Sequence, residues 1–125
     1  MSPTDVIDAL SRRLADGDLD GALALYEPAA TFAPQPGEQV SGIDAIRPAL
    51  ERFIALKPTM TGTIEKVMAA DDVALVVNRW ALTGTAPDGA PIEMAGVSSD
   101  VMRRQGDGSW RILVDDPWGT WPSGS

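Results

Sequence analysis

The sequence predicts an α+β fold with helices first and an antiparallel sheet second, and two observations carry that prediction. Apolar residues recur at helical spacing up to Lys57-Pro58, and from Thr59 onward they give way to long, β-branched, partly alternating runs. The length agrees, because 125 residues and 13.2 kDa fit one domain, expected over residues 1–121 with a loose tail at 122–125.

The first helix is expected over residues 3–15. Ser2-Pro3-Thr4-Asp5 supplies a cap, a proline at the first helical position and an acid three residues after the cap, and Val6, Ile7, Leu10 and Leu14 share one side. Gly17 is placed to end it. Asp18 then caps a second short helix carrying Leu19, Ala22, Leu23 and Tyr26, which Pro28 stops. A third helix begins between residues 41 and 44, shows Ile43, Ile46, Leu50, Phe53 and Ile54 on one stripe, and closes at Lys57-Pro58. Pro48 should kink or shorten its first turns.

Four antiparallel strands follow, at 59–70, 73–85, 91–105 and 109–116, separated by Asp71-Asp72, Pro87-Asp88-Gly89 and Gly106-Asp107-Gly108. The usual strand has about five or six residues, and strands much longer than that must twist and curl. Helices therefore pack on one face of a curved sheet.

Composition removes most catalytic kits. With no Cys and no His there is no disulfide, no thiolate nucleophile, no Cys or His zinc site and no Ser-His or Cys-His triad. Eighteen acidic against ten basic residues give a net charge of -8, which argues against nucleic acid or an anionic membrane as partner. No apolar run approaches a membrane span, and Met-Ser-Pro-Thr-Asp lacks the basic and apolar regions of a signal peptide, so a cytoplasmic protein is expected. Walker loop, dinucleotide fingerprint and nucleophile elbow are all missing, and no cofactor is expected.

Asp16-Gly17-Asp18-Leu19-Asp20-Gly21 with Glu27 satisfies the calcium-loop pattern at every specified position. Pro28 forbids the exiting helix of a true hand, Leu23 and Ala24 stand where a polar ligand is needed, and no second hand exists. A capped helix-turn-helix explains the same residues, and no metal site is expected.

Strand alternation, on the condition that no bulge intervenes, sorts the polar residues by face. Asn78 and Trp80 share one side of the second long strand. Met94, Gly96, Ser98, Asp100 and Met102 share one side of the third, and Trp110, Ile112, Val114 and Asp116 one side of the last. Asn78, Asp100 and Asp116 then point inward. A carboxyl among Trp and Met side chains needs a partner or a raised pKa, so Asp100 either ties strands through Asn78, Ser98 or a backbone amide, or serves a site. Asp115-Asp116-Pro117 also fits a strand-closing turn. Tyr26 places a hydroxyl on an apolar helix side, where it needs a polar partner. On the opposite sheet face Ala81, Ala95, Val97 and Val101 lie beside Arg79 and Arg103, a mixture that predicts a homodimer through that face, and Trp118 and Trp121 are placed to pack on a partner subunit.

Helices followed by a long meander, with G-D-L-D-G-A-L-A-L-Y-E-P-A-A-T-F at 17–32 and D-G-S-W-R-I at 107–112, resemble the nuclear transport factor 2-like superfamily, in its SnoaL-like polyketide cyclase and ketosteroid isomerase branches. The resemblance implies a cone of four long strands plus short N-terminal strand segments, three helices on its concave face, an apolar pocket inside and dimerisation through the convex face. Asp100-Val101-Met102-Arg103 resembles the segment that holds the isomerase's protonated oxyanion-hole acid. Tyr26 and Trp118 resemble pocket residues of that branch. The isomerase's base matches Ala33-Pro34-Gln35, with no acid, and its oxyanion tyrosine matches Leu10, so the steroid mechanism lacks two of its parts.

The expected function is binding of a small, largely apolar molecule by Tyr26, Phe32, Asn78, Trp80, Met94 and Trp118, with Asp100 or Asp116 as general acid or base for isomerase-, cyclase- or dehydratase-like chemistry. The alternative is a non-catalytic dimerisation or protein-interaction module with a filled interior.

Overall fold

Ser2 and Asp5 cap the first helix reciprocally: the Ser2 N–H donates to the Asp5 carboxyl at 2.8 Å and the Asp5 N–H donates to the Ser2 hydroxyl at 3.3 Å. In this computed structural model, which describes residues 1–119, the helix α1 (Pro3–Ala15) has its expected bounds and buries Val6, Ile7, Ala9 and Leu14. The expected tail at 122–125 and Trp121 lie outside the described residues. Gly17, at φ +75°, turns the chain out of α1 in a conformation that favours glycine.

The second helix departs from expectation. Asp18 caps α2 (Leu19–Leu23) by accepting the Gly21 N–H at 2.9 Å, but the helix ends before Tyr26. Tyr26 instead opens the strand β1 (Tyr26–Phe32). Pro28 has no N–H for a helix, and the last strand offers this segment a ladder: the Ile112 N–H donates to the Leu25 carbonyl at 2.8 Å. The residues of the calcium pattern are otherwise engaged. Asp20 meets Arg47 at 3.3 Å, and Glu27, on β1, accepts two hydrogen bonds from the Arg103 guanidinium at 2.9 and 2.7 Å.

After β2 (Val40–Ser41), the helix α3 (Ile43–Ala55) starts at the expected place and continues through Pro48. The strands β3 (Thr59–Ala70), β4 (Val73–Thr85), β5 (Pro91–Arg104) and β6 (Trp110–Asp116) form the expected antiparallel meander. The sheet order is β2-β1-β6-β5-β4-β3, and because β1 runs parallel to β6 the sheet is mixed rather than wholly antiparallel. It is curved and does not close on itself. The apolar sides of the three helices pack into its hollow, where Val6, Leu23, Phe32, Ile46 and Leu50 meet Val76, Met102 and Ile112 in one core. No helix among the described residues is long and apolar enough to cross a membrane.

Gly84 marks where the end of α3 touches the sheet. A Cβ there would lie 2.6 Å from the Leu56 carbonyl oxygen, which already accepts the Thr85 N–H at 2.7 Å. Backbone cannot swing aside as a side chain can, so Gly84→Ala is expected to cost about 1 to 3 kcal/mol in urea denaturation. An unchanged midpoint would show that this contact is slack.

Candidate functional site

Register brings four polar side chains together. Asn78 on β4 stands opposite Ser98 on β5, and Asp100 on β5 stands opposite Asp115 on β6. Residues opposed in an antiparallel pair share a face at about 4.5 to 5.5 Å, so all four enter the hollow of the sheet. Asn78, Ser98 and Asp100 thus lie on the side that alternation assigned to them.

Asp116 does not. The pairing of β5 with β6 slips between Val101 and Met102, whose partners are Val114 and Ile112, leaving Leu113 as an extra residue. Beyond such a bulge the alternation reverses. Asp115, 6% exposed, takes the inward place, while Asp116 is half-buried and accepts the Trp118 N–H at 3.1 Å, as a strand-closing turn requires.

The four polar residues and Tyr26 floor a cavity of about 70 Å³ walled by apolar side chains of α1, α3 and the sheet, Leu10, Phe32, Leu50 and Phe53 among them. One water needs about 10 to 15 Å³, so this space holds on the order of five waters or a ligand of similar bulk. Trp80 belongs to the wall; its indole N–H donates to the Pro117 carbonyl at 2.9 Å and its ring meets Trp118 edge to face at 5.4 Å. Trp118 is therefore one layer removed from the cavity. Met94 lines a separate hollow with Pro34, Ala49 and Arg52, because its strand position lies beyond the cavity's end. Phe32 and Phe53, in edge-to-face contact at 6.4 Å, close the wall on the helical side.

The Tyr26 hydroxyl donates to Asp115 Oδ2 at 2.5 Å. The Ser98 hydroxyl lies 3.1 Å from Asp100 Oδ2 and 3.3 Å from the Asn78 carbonyl, dividing its proton between them. Asp100 and Asp115 are opposed and both buried, and two carboxyls so placed are stabilised by holding one proton between them. Burial pushes Asp100 well above the ordinary carboxylate range, and the charge and hydrogen bond of Asp115 push it further. Burial also raises Asp115, but hydrogen bonds from Asp100 and Tyr26 oppose the rise. Asp100, pushed up the more strongly, is therefore the better holder of a proton, and Asp115 the better holder of a charge. Tyr26 is held well above the usual phenol range by burial and then by Asp115, so its hydroxyl stays a donor.

Native Asp100 holds a proton that the unfolded chain releases, so stability is full at low pH and falls as pH rises from the ordinary value of 3.8 toward the raised one. Each unit of the rise corresponds to about 1.4 kcal/mol. Urea midpoints measured from about pH 5 to about pH 8 are expected to drop for the native protein and to drop less for Asp100→Asn. Identical slopes would show that Asp100 holds no extra proton.

Sequence reasoning missed Asp115, Phe53 and the cavity-facing role of Leu10. For Asp115 a signal existed: two consecutive acids at a strand end place one inward in either register. Among the described residues no cluster of acids could hold a metal ion.

The SnoaL-like domain family matches residues 7–111. No curated protein matches the sequence. Among solved structures, a conserved protein from Planctomyces limnophilus superposes with a TM-score of 0.80 at 18% identity, covering 90% of this chain and 88% of its own. A ketosteroid isomerase-like protein from Erwinia carotovora atroseptica gives 0.78 at 19% identity, with the same coverage of 90% and 88%. An NTF-2 like protein of unknown function from Shewanella oneidensis gives 0.74 at 22% identity, covering 91% and 97%. At these identities the likeness is one of fold.

Proposed function

Since the chain belongs to the SnoaL-like domain family, and family fold does not select a reaction, we propose from the site itself that it binds a small, largely apolar molecule in the cone and moves a proton at Asp100. The observation that carries this reading is the buried, opposed Asp100–Asp115 pair on the floor of an apolar cavity. A carboxylic acid whose pKa is pushed well above the ordinary range can donate a hydrogen bond or a proton, and Asp115, held by Tyr26, stands beside it as the partner for that proton. The apolar wall keeps water from competing. This is isomerase-, cyclase- or dehydratase-like chemistry on a compact substrate. Pockets for drug-sized ligands run to about 300 to 1,000 Å³, so a steroid does not fit the space present.

The same small volume favours the second reading, a non-catalytic interaction module. Native mass spectrometry of freshly purified protein separates the two. The first reading expects a bound small mass that Asp100→Asn abolishes without loss of fold. An empty protein in which Asp100→Asn alters only stability would support the module.

Both readings include a homodimer through the convex face. Thr61, Thr63, Arg79, Ala81, Ala95 and Val97 surround a shallow hollow there, part apolar and part polar, as subunit interfaces are. Sedimentation at micromolar protein is expected to give twice the 13.2 kDa chain mass, and a monomer would overturn the dimer.

A further inference from the structure

Three donors around the floor of the cavity are engaged within the protein. The Tyr26 O–H is engaged by Asp115, the Trp80 N–H by the Pro117 carbonyl, and the Ser98 hydroxyl by Asp100 and the Asn78 carbonyl. The Asn78 amide N–H groups and the Ser11 hydroxyl, on the cavity lining, have no partner among the described residues. Oδ1 of Asn78 and Oδ1 of Asp100 find no donor in another residue either, although the two side chains are only 6% and 2% exposed. A proton shared with Asp115 would answer for Asp100 and leave Asn78 unmet.

Charge narrows the choice of ligand. Asp100 and Asp115 are buried carboxyls opposed across β5 and β6, yet no Lys or Arg lines the cavity among the described residues, and residues 120–125 contain none. A buried charge without a counterion is costly, and a ligand that supplies the counterion recovers that cost. The rings of Tyr26, Phe32, Phe53 and Trp80 line the same space, and aromatic faces attract cations. A carboxylate or phosphate would meet unpaired acceptors and a like charge. A neutral carbonyl could accept from the Asn78 amide or the Ser11 hydroxyl but would leave the carboxyl pair without a counterion.

Resting on the cavity as a ligand site, we propose that its ligand is a small organic cation, a primary ammonium on an apolar body of about four carbons, which is what the space admits. Its N–H groups donate to the Asp100–Asp115 pair, and its hydrocarbon lies against the aromatic wall.

Three probes of equal length test this by amide NMR titration of the full chain: n-butylammonium, 1-butanol and butyrate. Butylammonium is expected to shift the amides of Ser98, Asp100 and Asp115 with a Kd at least about tenfold below that of butanol, and butyrate to leave them unmoved. In the double variant Asp100→Asn, Asp115→Asn the advantage of butylammonium over butanol is expected to vanish. Asparagine oxygens still accept from Tyr26 and Ser98, so this variant keeps its fold, which its spectrum checks. Butanol or butyrate binding as tightly as butylammonium would overturn the cation and leave the ligand site standing. No shift at these amides with any of the three would overturn both.

Discussion

Trp80→Ala is expected to cost about 3 to 5 kcal/mol of stability. The indole is 7% exposed, donates to the Pro117 carbonyl at 2.9 Å and meets Trp118 edge to face. Gly96 leaves the room for it: a Cβ at that position would lie 3.1 Å from the indole ring. Removing the ring thus deletes a large buried apolar surface, orphans a carbonyl and leaves a hole that a rigid sheet cannot close. Urea denaturation measures the loss. A cost below about 1 kcal/mol would mean that the wall collapses freely around the site.

Tyr26→Phe is expected to cost about 1.5 to 3 kcal/mol near neutral pH, the range for a hydrogen bond to a charged group. The Tyr26 O–H is one of two donors holding the charge on buried Asp115, and the other is the proton on Asp100. Once both acids are protonated the lost bond is between neutral groups, and the cost should fall to about 0.5 to 1.5 kcal/mol. Denaturation of both proteins at about pH 4 and about pH 7 checks this. An equal cost at the two values would mean that Asp115 is not the charged member of the pair.

The parts of the fold legible in the sequence are those set by local chemistry. Ser2, Pro3 and Asp5 fix the start of α1 by their own hydrogen bonds, and the Asp- and Gly-containing turns fix the ends of the four long strands within a residue or two. Tyr26 shows where locality ends. A hydroxyl on an apolar surface demanded a polar partner, and it has one, but that partner is 89 residues away and the segment is a strand rather than a helix. Only the parallel pairing with β6 decides that, and no neighbour in sequence announces it. Asp115 and Asp116 were exchanged for a related reason. One extra residue at Leu113 reverses every later side chain, and a bulge is a property of two strands, not of the one that carries it. Met94 was assigned the correct face but the wrong depth, because alternation gives orientation and not distance from the floor of the cone.

The central claim is that Asp100 and Asp115 share one proton on the floor of the cavity. Carbon-13 NMR of the Asp side-chain carboxyls, assigned with Asp100→Asn and Asp115→Asn and followed across pH, tests it most directly. One carboxyl carbon of the pair is expected to keep the shift of a protonated acid well above the ordinary titration range, and removing either acid should move the other. Two independent titrations near the usual carboxylate value would contradict the account.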